Sequence, residues 1–464
     1  MVFSSVLFLY IYLPVVLLIY YITPIKWRNP VLFVANLLFY GWGEPIYVLL
    51  MLFSISVNYY NGLLIEKYRD NRAKAKRVLI INIAVNLLML GFFKYYNLIA
   101  ETLSLIPFIS ITKLNVALPI GISFYTFQTM SYTIDLYRGE SEIQRNFIKF
   151  GTFVALFPQL IAGPIVRYKD VSSQLGFRAS SIEQLSSGVR RFTIGLAKKV
   201  LIANNIGQLW DIYAANYSNL TFVGSWMGVF AFSLQIFFDF SGYSDMAIGL
   251  GKMIGFEFKE NFDYPFISKS VTEFWRRWHI SLGTWFKDYV YIPLGGNKFG
   301  LKRQLINIFI VWSLTGIWHG ANWTYLLWGI YYGILLASEK LFLLKSLERL
   351  NSTVRHIYVI FAVNLVWPLF QLNSLQAAAT YTSSMFGFSP AGLYSANDIF
   401  NFKTYFAVFV VGVIACTPVS KNLFNKLPDK AKNILSPIFV VIILILSTAY
   451  LVDATYNPFL YFRF

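Results

Sequence analysis

The chain has 464 residues, of which 57% are hydrophobic, 19% aromatic and only 13% charged. Soluble domains carry about 25% charged residues, so a soluble globular protein is excluded. The net charge of +17 does not point to nucleic acid, because the basic residues sit in short stretches between apolar runs, where the positive-inside rule puts them.

Apolar runs of membrane length recur from end to end. The expected fold is all-α, a multi-pass transmembrane helical bundle of roughly 10–12 spans with re-entrant and interfacial helices. Residues 1–464 read as a single integral-membrane domain without internal repeats. The lone Cys416 excludes an intramolecular disulfide and a cysteine-based metal site. The first run, residues 2–22, lacks a basic start and a small-residue cleavage site and reads as a retained span. Lys26 and Arg28 follow it, which puts that loop in the cytoplasm and the N-terminus outside.

The most basic stretch, residues 67–77, is assigned to the cytoplasm. The next span ends at Lys94, on the outer side by count, and that lysine reads as snorkelling to the interface. Residues 147–166 have basic residues on both flanks and are broken by Pro158, Gly163 and Pro164. A re-entrant segment fits them better than a crossing. Residues 210–221 and 373–400 lack lysine and arginine and are placed outside; residues 340–355 and 421–432 are placed inside. The tail from Asp453 is again outside, so both termini are periplasmic or extracellular. Residues 222–251 carry Gln235, Asp239, Ser241, Ser244 and Asp245 among apolar neighbours. The serines read as interhelical hydrogen-bonding groups, and for the two aspartates a structural and a functional role both stay open.

Residues 270–332 hold the strongest chemical signal. Ser270 followed by Glu273 predicts a capped helix that ends before Pro293. Trp275, Trp278, His279, Leu282, Trp285 and Phe286 share one face of it, opposite Arg277, Ser281, Thr284 and Asp288. Such a helix is expected to lie at the membrane interface. His319 ends an uncharged run and precedes the break Gly320-Ala321-Asn322. An ionisable group between two membrane segments is costly unless it lines a cavity or has a partner. Thr315, one turn earlier, is placed to orient the ring, and the flanking glycines would let a substrate approach the backbone. His356 follows Arg355 at a cytoplasmic helix start and needs no functional role.

Together these features allow acyl transfer. Arg276, Arg277 and Lys287 can hold the phosphates of a cytoplasmic thioester donor such as acetyl-coenzyme A, and the tryptophans Trp275 and Trp278 can stack its adenine. Lipid headgroups are the competing partner for those cations. A histidine is the natural base for an acceptor hydroxyl attacking the thioester. No carboxylate sits at ligand spacing from either histidine, so no metal site is expected. A proton-coupled transporter remains an alternative, with Asp239, Asp245 and His319 as a relay, although no inverted repeat supports it.

Five motifs resemble the membrane-bound O-acyltransferase family: LPIGISF from Leu118, FPQLIAGPI from Phe157, DFSGYSDMAIG from Asp239, FWRRWHISL from Phe274 and GIWHGA from Gly316. They are most similar to its bacterial alginate O-acetylase branch, and the likeness runs to the terminal YNPFLYFRF from Tyr456. The resemblance implies helices around a central tunnel, His319 as the catalytic histidine and His279 as the second, supporting histidine position. It implies no permanently bound cofactor. Acetyl-coenzyme A would be the donor, a bacterial inner membrane the location and an extracytoplasmic polysaccharide the acceptor. Transfer in that branch passes through a periplasmic partner acetylase of the SGNH-hydrolase type. Gln371 departs from the arginine expected after Phe370. Within the family, D-alanyl transfer to teichoic acid from a carrier-protein thioester is the alternative.

Overall fold

The computed structural model describes the chain except residues 162, 179–180, 454–456, 458–459 and 461–464. The regular secondary structure of the described residues is all helical, with no strand among them. Among the described residues seven helices are long and apolar enough to cross a membrane, and the shorter Phe8–Ile22 is apolar as well. That is fewer than ten to twelve because several buried helices are short or polar. The helix Ile122–Arg138 is one of them, with Ser123, Thr126, Gln128, Thr129, Ser131, Thr133 and Asp135 all buried. A helix enclosed by protein on all sides does not need an apolar surface.

The residues group into two compact units, neither a continuous stretch of chain. The first comprises residues 1–192 and 243–259, the second residues 193–242 and 260–464.

In the first unit, Ile122–Arg138 is bracketed by Gly121 and Gly139, both in the left-handed region at φ 75° and 77°, where glycine carries no steric penalty. Neutral side chains bind it to the span Arg72–Leu103 and that span to Tyr47–Lys67. Asn82 Nδ2 donates to Asn58 Oδ1 at 3.0 Å and to Thr133 Oγ1 at 2.9 Å, and Asn86 Nδ2 donates to Asn58 Oδ1 at 3.0 Å. Such interhelical bonds replace water where none is available. Lys94 does not extend out of the protein as a snorkelling side chain would. It is buried, and its ammonium donates to Ser123 Oγ at 3.3 Å. The stretch read as re-entrant forms two short helices, Phe147–Ala155 and Phe157–Leu160, broken at Leu156. Neither is long enough to cross a bilayer.

In the second unit the core is aromatic, built on Trp210, Phe232, Trp278, Trp328 and Trp367. The helices Gly300–His319 and Trp323–Ser338 pack closely because a Cβ at Gly316 would collide with the Tyr325 carbonyl and one at Gly329 with the Trp312 carbonyl. Small residues at a helix crossing allow this approach. Residues 204–215 and 375–385, parts of or next to stretches read as outer loops, are helical, since a lack of basic residues says nothing about backbone conformation. Of the terminal YNPFLYFRF motif only Asn457 and Leu460 are described. Leu460 donates its N–H to Asp239 Oδ2 at 3.0 Å, and Asn204 Nδ2 donates to Asn457 Oδ1 at 3.1 Å.

Candidate active site

The expected single amphipathic helix is two short ones, Val271–Arg277 and Ile280–Phe286, followed by a wide turn at Lys287–Tyr291. The start was legible: Ser270 Oγ accepts from the Glu273 N–H at 3.0 Å. The reciprocal bond goes to the Lys269 N–H at 2.9 Å instead of that of Ser270. The break falls on His279, which has φ 46°, an uncommon conformation for a residue with a side chain. The turn rotates the second helix, so helical spacing across the break no longer defines one face. Leu282, Trp285 and Phe286 are nonetheless buried.

Glu339, which the sequence did not single out, holds the start of the first short helix. Its buried carboxylate accepts from the N–H groups of Val271 at 2.7 Å and Thr272 at 2.8 Å, from the Thr272 hydroxyl at 2.6 Å and from the Tyr358 hydroxyl at 3.1 Å. A carboxylate at a helix N-terminus satisfies donors that have no partner within the helix.

His279 is held by Asn261, another residue the sequence did not mark. Asn261 Oδ1 accepts from the Ser281 N–H at 3.1 Å and the Ser281 hydroxyl at 2.9 Å, and lies 3.2 Å from His279 Nδ1. His279 Nε2 is buried and has no hydrogen-bond partner among the described residues. Burial pushes the imidazole down from the ordinary histidine range to about 3, so the ring is neutral across the physiological range. Phe240 stands edge-on to it at 4.6 Å.

His319 ends its helix as the sequence implied, and Asn322 caps the next by accepting from the Thr324 N–H at 3.1 Å. Its ring is enclosed by Trp318, Trp328 and Phe370 at centroid distances of 5.1, 5.1 and 5.2 Å. Phe370 therefore reaches the histidine although its neighbour Gln371 departs from the expected arginine. The adjacent glycines do not offer backbone to a substrate, because the space their side chains would fill is taken by Tyr325. Thr315 does not orient the ring through its hydroxyl proton, which it donates to the Val311 carbonyl at 2.8 Å.

Both histidines line one cavity of about 340 Å³, together with Trp275, Trp278, Thr315 and the exposed Arg276 and Lys287. Trp275 braces its wall against Trp312 and Tyr332, each 4.8 Å away. Among the described residues neither Arg276 nor Lys287 makes an ion pair. Arg277 differs: it bonds Asp263 at 2.9 Å and Glu273 at 3.1 Å and does not line the cavity. The aspartates also lie outside the cavity lining. Asp239 is paired with buried Lys199 at 2.5 Å, and Asp245 with Arg191 at 2.7 Å. Their charges are neutralised within the fold, which removes the motive for a relay through them. His356 is only half-buried and is not part of the cavity lining.

The site thus combines two histidines, one held by a neutral amide and one by aromatic rings, with two cations unengaged by carboxylates. That arrangement can take a proton and hold an anionic molecule beside it.

Comparison with known proteins adds to this geometry. The model of the membrane-bound O-acyltransferase family matches residues 143–371, a stretch containing every residue of the cavity lining. The chain is 38% identical to a probable alginate O-acetylase of Pseudomonas putida, with 100% of both chains covered. It is 42% identical to a probable alginate O-acetylase of Pseudomonas aeruginosa, covering 84% of this chain and 75% of that one. A peptidoglycan O-acetyltransferase of Helicobacter pylori is 32% identical over 85% of this chain and 81% of its own.

Proposed function

Because the chain belongs to the membrane-bound O-acyltransferase family, we propose that it takes an acetyl group from cytoplasmic acetyl-coenzyme A and passes it outward for O-acetylation of an extracytoplasmic polysaccharide. It is an integral-membrane O-acyltransferase. The observation that carries the finer reading is the shared cavity, with both histidines in its lining and two cations exposed beside them that make no ion pair among the described residues.

A volume of about 340 Å³ is at the low end for ligand pockets. It suits a slender thioester arm with a short acyl group, while the nucleotide of the donor stays outside. Arg276 and Lys287 then meet its phosphates through charge-assisted bonds. His319 takes the proton of an acceptor hydroxyl as its oxygen attacks the thioester carbonyl. The new C–O bond forms, the C–S bond breaks, and the proton passes from the imidazolium to the departing thiolate. His279 supports the site from the other histidine position. The acceptor hydroxyl belongs either to the polysaccharide or to a periplasmic partner of the SGNH-hydrolase type that carries the acetyl group onward. The relatives named for alginate and peptidoglycan acetylation support a polysaccharide as the final acceptor. A bacterial inner membrane, with both termini outside, is the location that fits a cytoplasmic donor and an outer acceptor.

The test is release of coenzyme A from acetyl-coenzyme A by the purified protein in proteoliposomes, with and without an acceptor. Turnover that disappears in His319→Ala is expected. Turnover of a D-alanyl carrier-protein thioester in preference to acetyl-coenzyme A would overturn the donor assignment. Proton-coupled uptake without any thioester cleavage would return the transporter.

A further inference from the structure

We propose that Asn261 is a positioning residue that fixes His279 in the tautomer protonated at Nδ1, leaving Nε2 as a hydrogen-bond acceptor for whatever enters the cavity. The inference rests on the functional reading above only for what that acceptor does in turnover.

The geometry sets the tautomer. Asn261 Oδ1 receives the backbone N–H of Ser281 at 3.1 Å. A backbone N–H can only donate, so this atom must be the amide oxygen and an acceptor. It also receives the Ser281 hydroxyl at 2.9 Å. His279 Nδ1, at 3.2 Å from the same oxygen, can bond it only by donating its proton. In a neutral imidazole the other nitrogen then carries the lone pair. That nitrogen is Nε2, which is buried with no hydrogen-bond partner among the described residues, on a ring that lines the cavity.

The backbone holds the arrangement in place. His279 sits at φ 46° between two helices, and Asn261 grips the chain just after that turn. Its carbonyl accepts the Ile280 N–H at 2.9 Å while its side chain holds Ser281. One residue therefore closes the turn and sets the ring's proton. A buried acceptor nitrogen has a strong need for a donor. An acyl donor with amide N–H groups along its arm supplies one, and so does a thiol or hydroxyl at the reacting centre. His279 would then hold that group as a hydrogen-bond acceptor, whereas the opposite tautomer would present an N–H and repel it.

Asn261→Asp and Asn261→Ala separate this role from simple turn formation. A carboxylate at 261 keeps the acceptor and adds a charge that favours the imidazolium; alanine removes both. The full-length protein and both variants are treated with diethyl pyrocarbonate, which attacks the unprotonated ring, and His279 labelling is followed by peptide mass spectrometry as pH is lowered. Labelling of Asn261→Asp should fade at a pH about 1–3 units above that of the wild type, with no such rise in Asn261→Ala.

With acetyl-coenzyme A, Asn261→Ala should lose turnover by up to about 100-fold with little change in KM. Asn261→Asp should regain part of it as pH rises. Identical labelling profiles in the three proteins would overturn the proposal. So would equal turnover losses in the two variants with superimposable pH profiles, which is the mark of a turn-forming residue alone. A wild type that cleaves no thioester defeats the functional reading, and the labelling still decides the tautomer assignment.

Discussion

Two stretches of this chain carry charge among apolar neighbours, residues 239–245 and residues 275–319, and the structure treats them in opposite ways. In the first, each aspartate meets a cation: Asp239 with Lys199 at 2.5 Å and Asp245 with Arg191 at 2.7 Å. In the second, Arg276 and Lys287 stand exposed beside a cavity with no carboxylate, and two histidines line it. Charge already paired inside a fold has little left to offer a ligand. Charge and lone pairs held open on rigid supports do, and that difference separates a structural cluster from a site. The contrast also divides adjacent residues, since Arg277 is bound by Asp263 and Glu273 while Arg276 is not.

The largest test of this contrast is His319→Ala. Removing the general base should lower acetyl transfer by about 10²–10⁴-fold, with normal expression and membrane insertion. Labelled acetyl incorporation into polysaccharide measures it, and a well-expressed variant with substantial transfer would return His319 to a packing role within its aromatic enclosure.

Next in size is the paired stretch. Asp239→Ala removes the carboxylate paired with the buried Lys199 ammonium and also frees the Leu460 N–H. Breaking one side of a buried pair typically costs about 3–5 kcal/mol, so the variant should melt well below the wild type in detergent. Replacing both partners, Asp239→Leu with Lys199→Met, should recover much of that loss. If Asp239→Ala were fully stable yet inactive, the aspartate would belong with the histidines after all.

The neighbouring arginines sharpen the comparison further. Arg276→Ala should raise the KM for acetyl-coenzyme A roughly 10- to 150-fold, the equivalent of one charge-assisted contact. Arg277→Ala should leave KM unchanged and cost about 0–1 kcal/mol of stability, because its pair with Asp263 is partly exposed. Steady-state kinetics on the two variants side by side decides the matter, and equal KM effects would erase the distinction.

How much of this was legible beforehand follows from the range over which each signal acts. The Ser270 cap and the interruption at 320–322 are local, and both appear in the structure. The turn at His279 left no mark, because nothing in WRRWHIS announces a left-handed residue that is neither glycine nor asparagine. Asn261 is 18 residues from His279 and Glu339 is 68 from Val271, and such distances carry no periodicity. The burial of Lys94 was missed for a related reason. Counting charges places a lysine by its side of the membrane, whereas its burial depends on Ser123, 29 residues away. The helix Ile122–Arg138 shows the limit of hydropathy, which registers lipid contact, because its polar residues are buried in protein.

The smallest expected effect concerns Thr315, which sits in the cavity lining but is chemically occupied. One turn before His319, its hydroxyl is well spaced to orient the ring, and spacing alone would make it a supporting residue. The structure gives its proton to the Val311 carbonyl, four residues back, at 2.8 Å. That is the ordinary resting place of a threonine hydroxyl within a helix. In an α-helix such a carbonyl also receives a backbone N–H, so losing the hydroxyl leaves no buried acceptor unsatisfied. Thr315→Val preserves the branched shape, and its cost should stay within about 1 kcal/mol. Turnover should then remain within about fivefold of the wild type, since 1 kcal/mol corresponds to no larger a factor. A drop on the order of 100-fold, the scale of a lost catalytic contact, would mean that the hydroxyl turns to the histidine or the substrate during the reaction. Thr315 would then stand with Arg276 and Lys287, among the polar groups that the cavity holds in reserve.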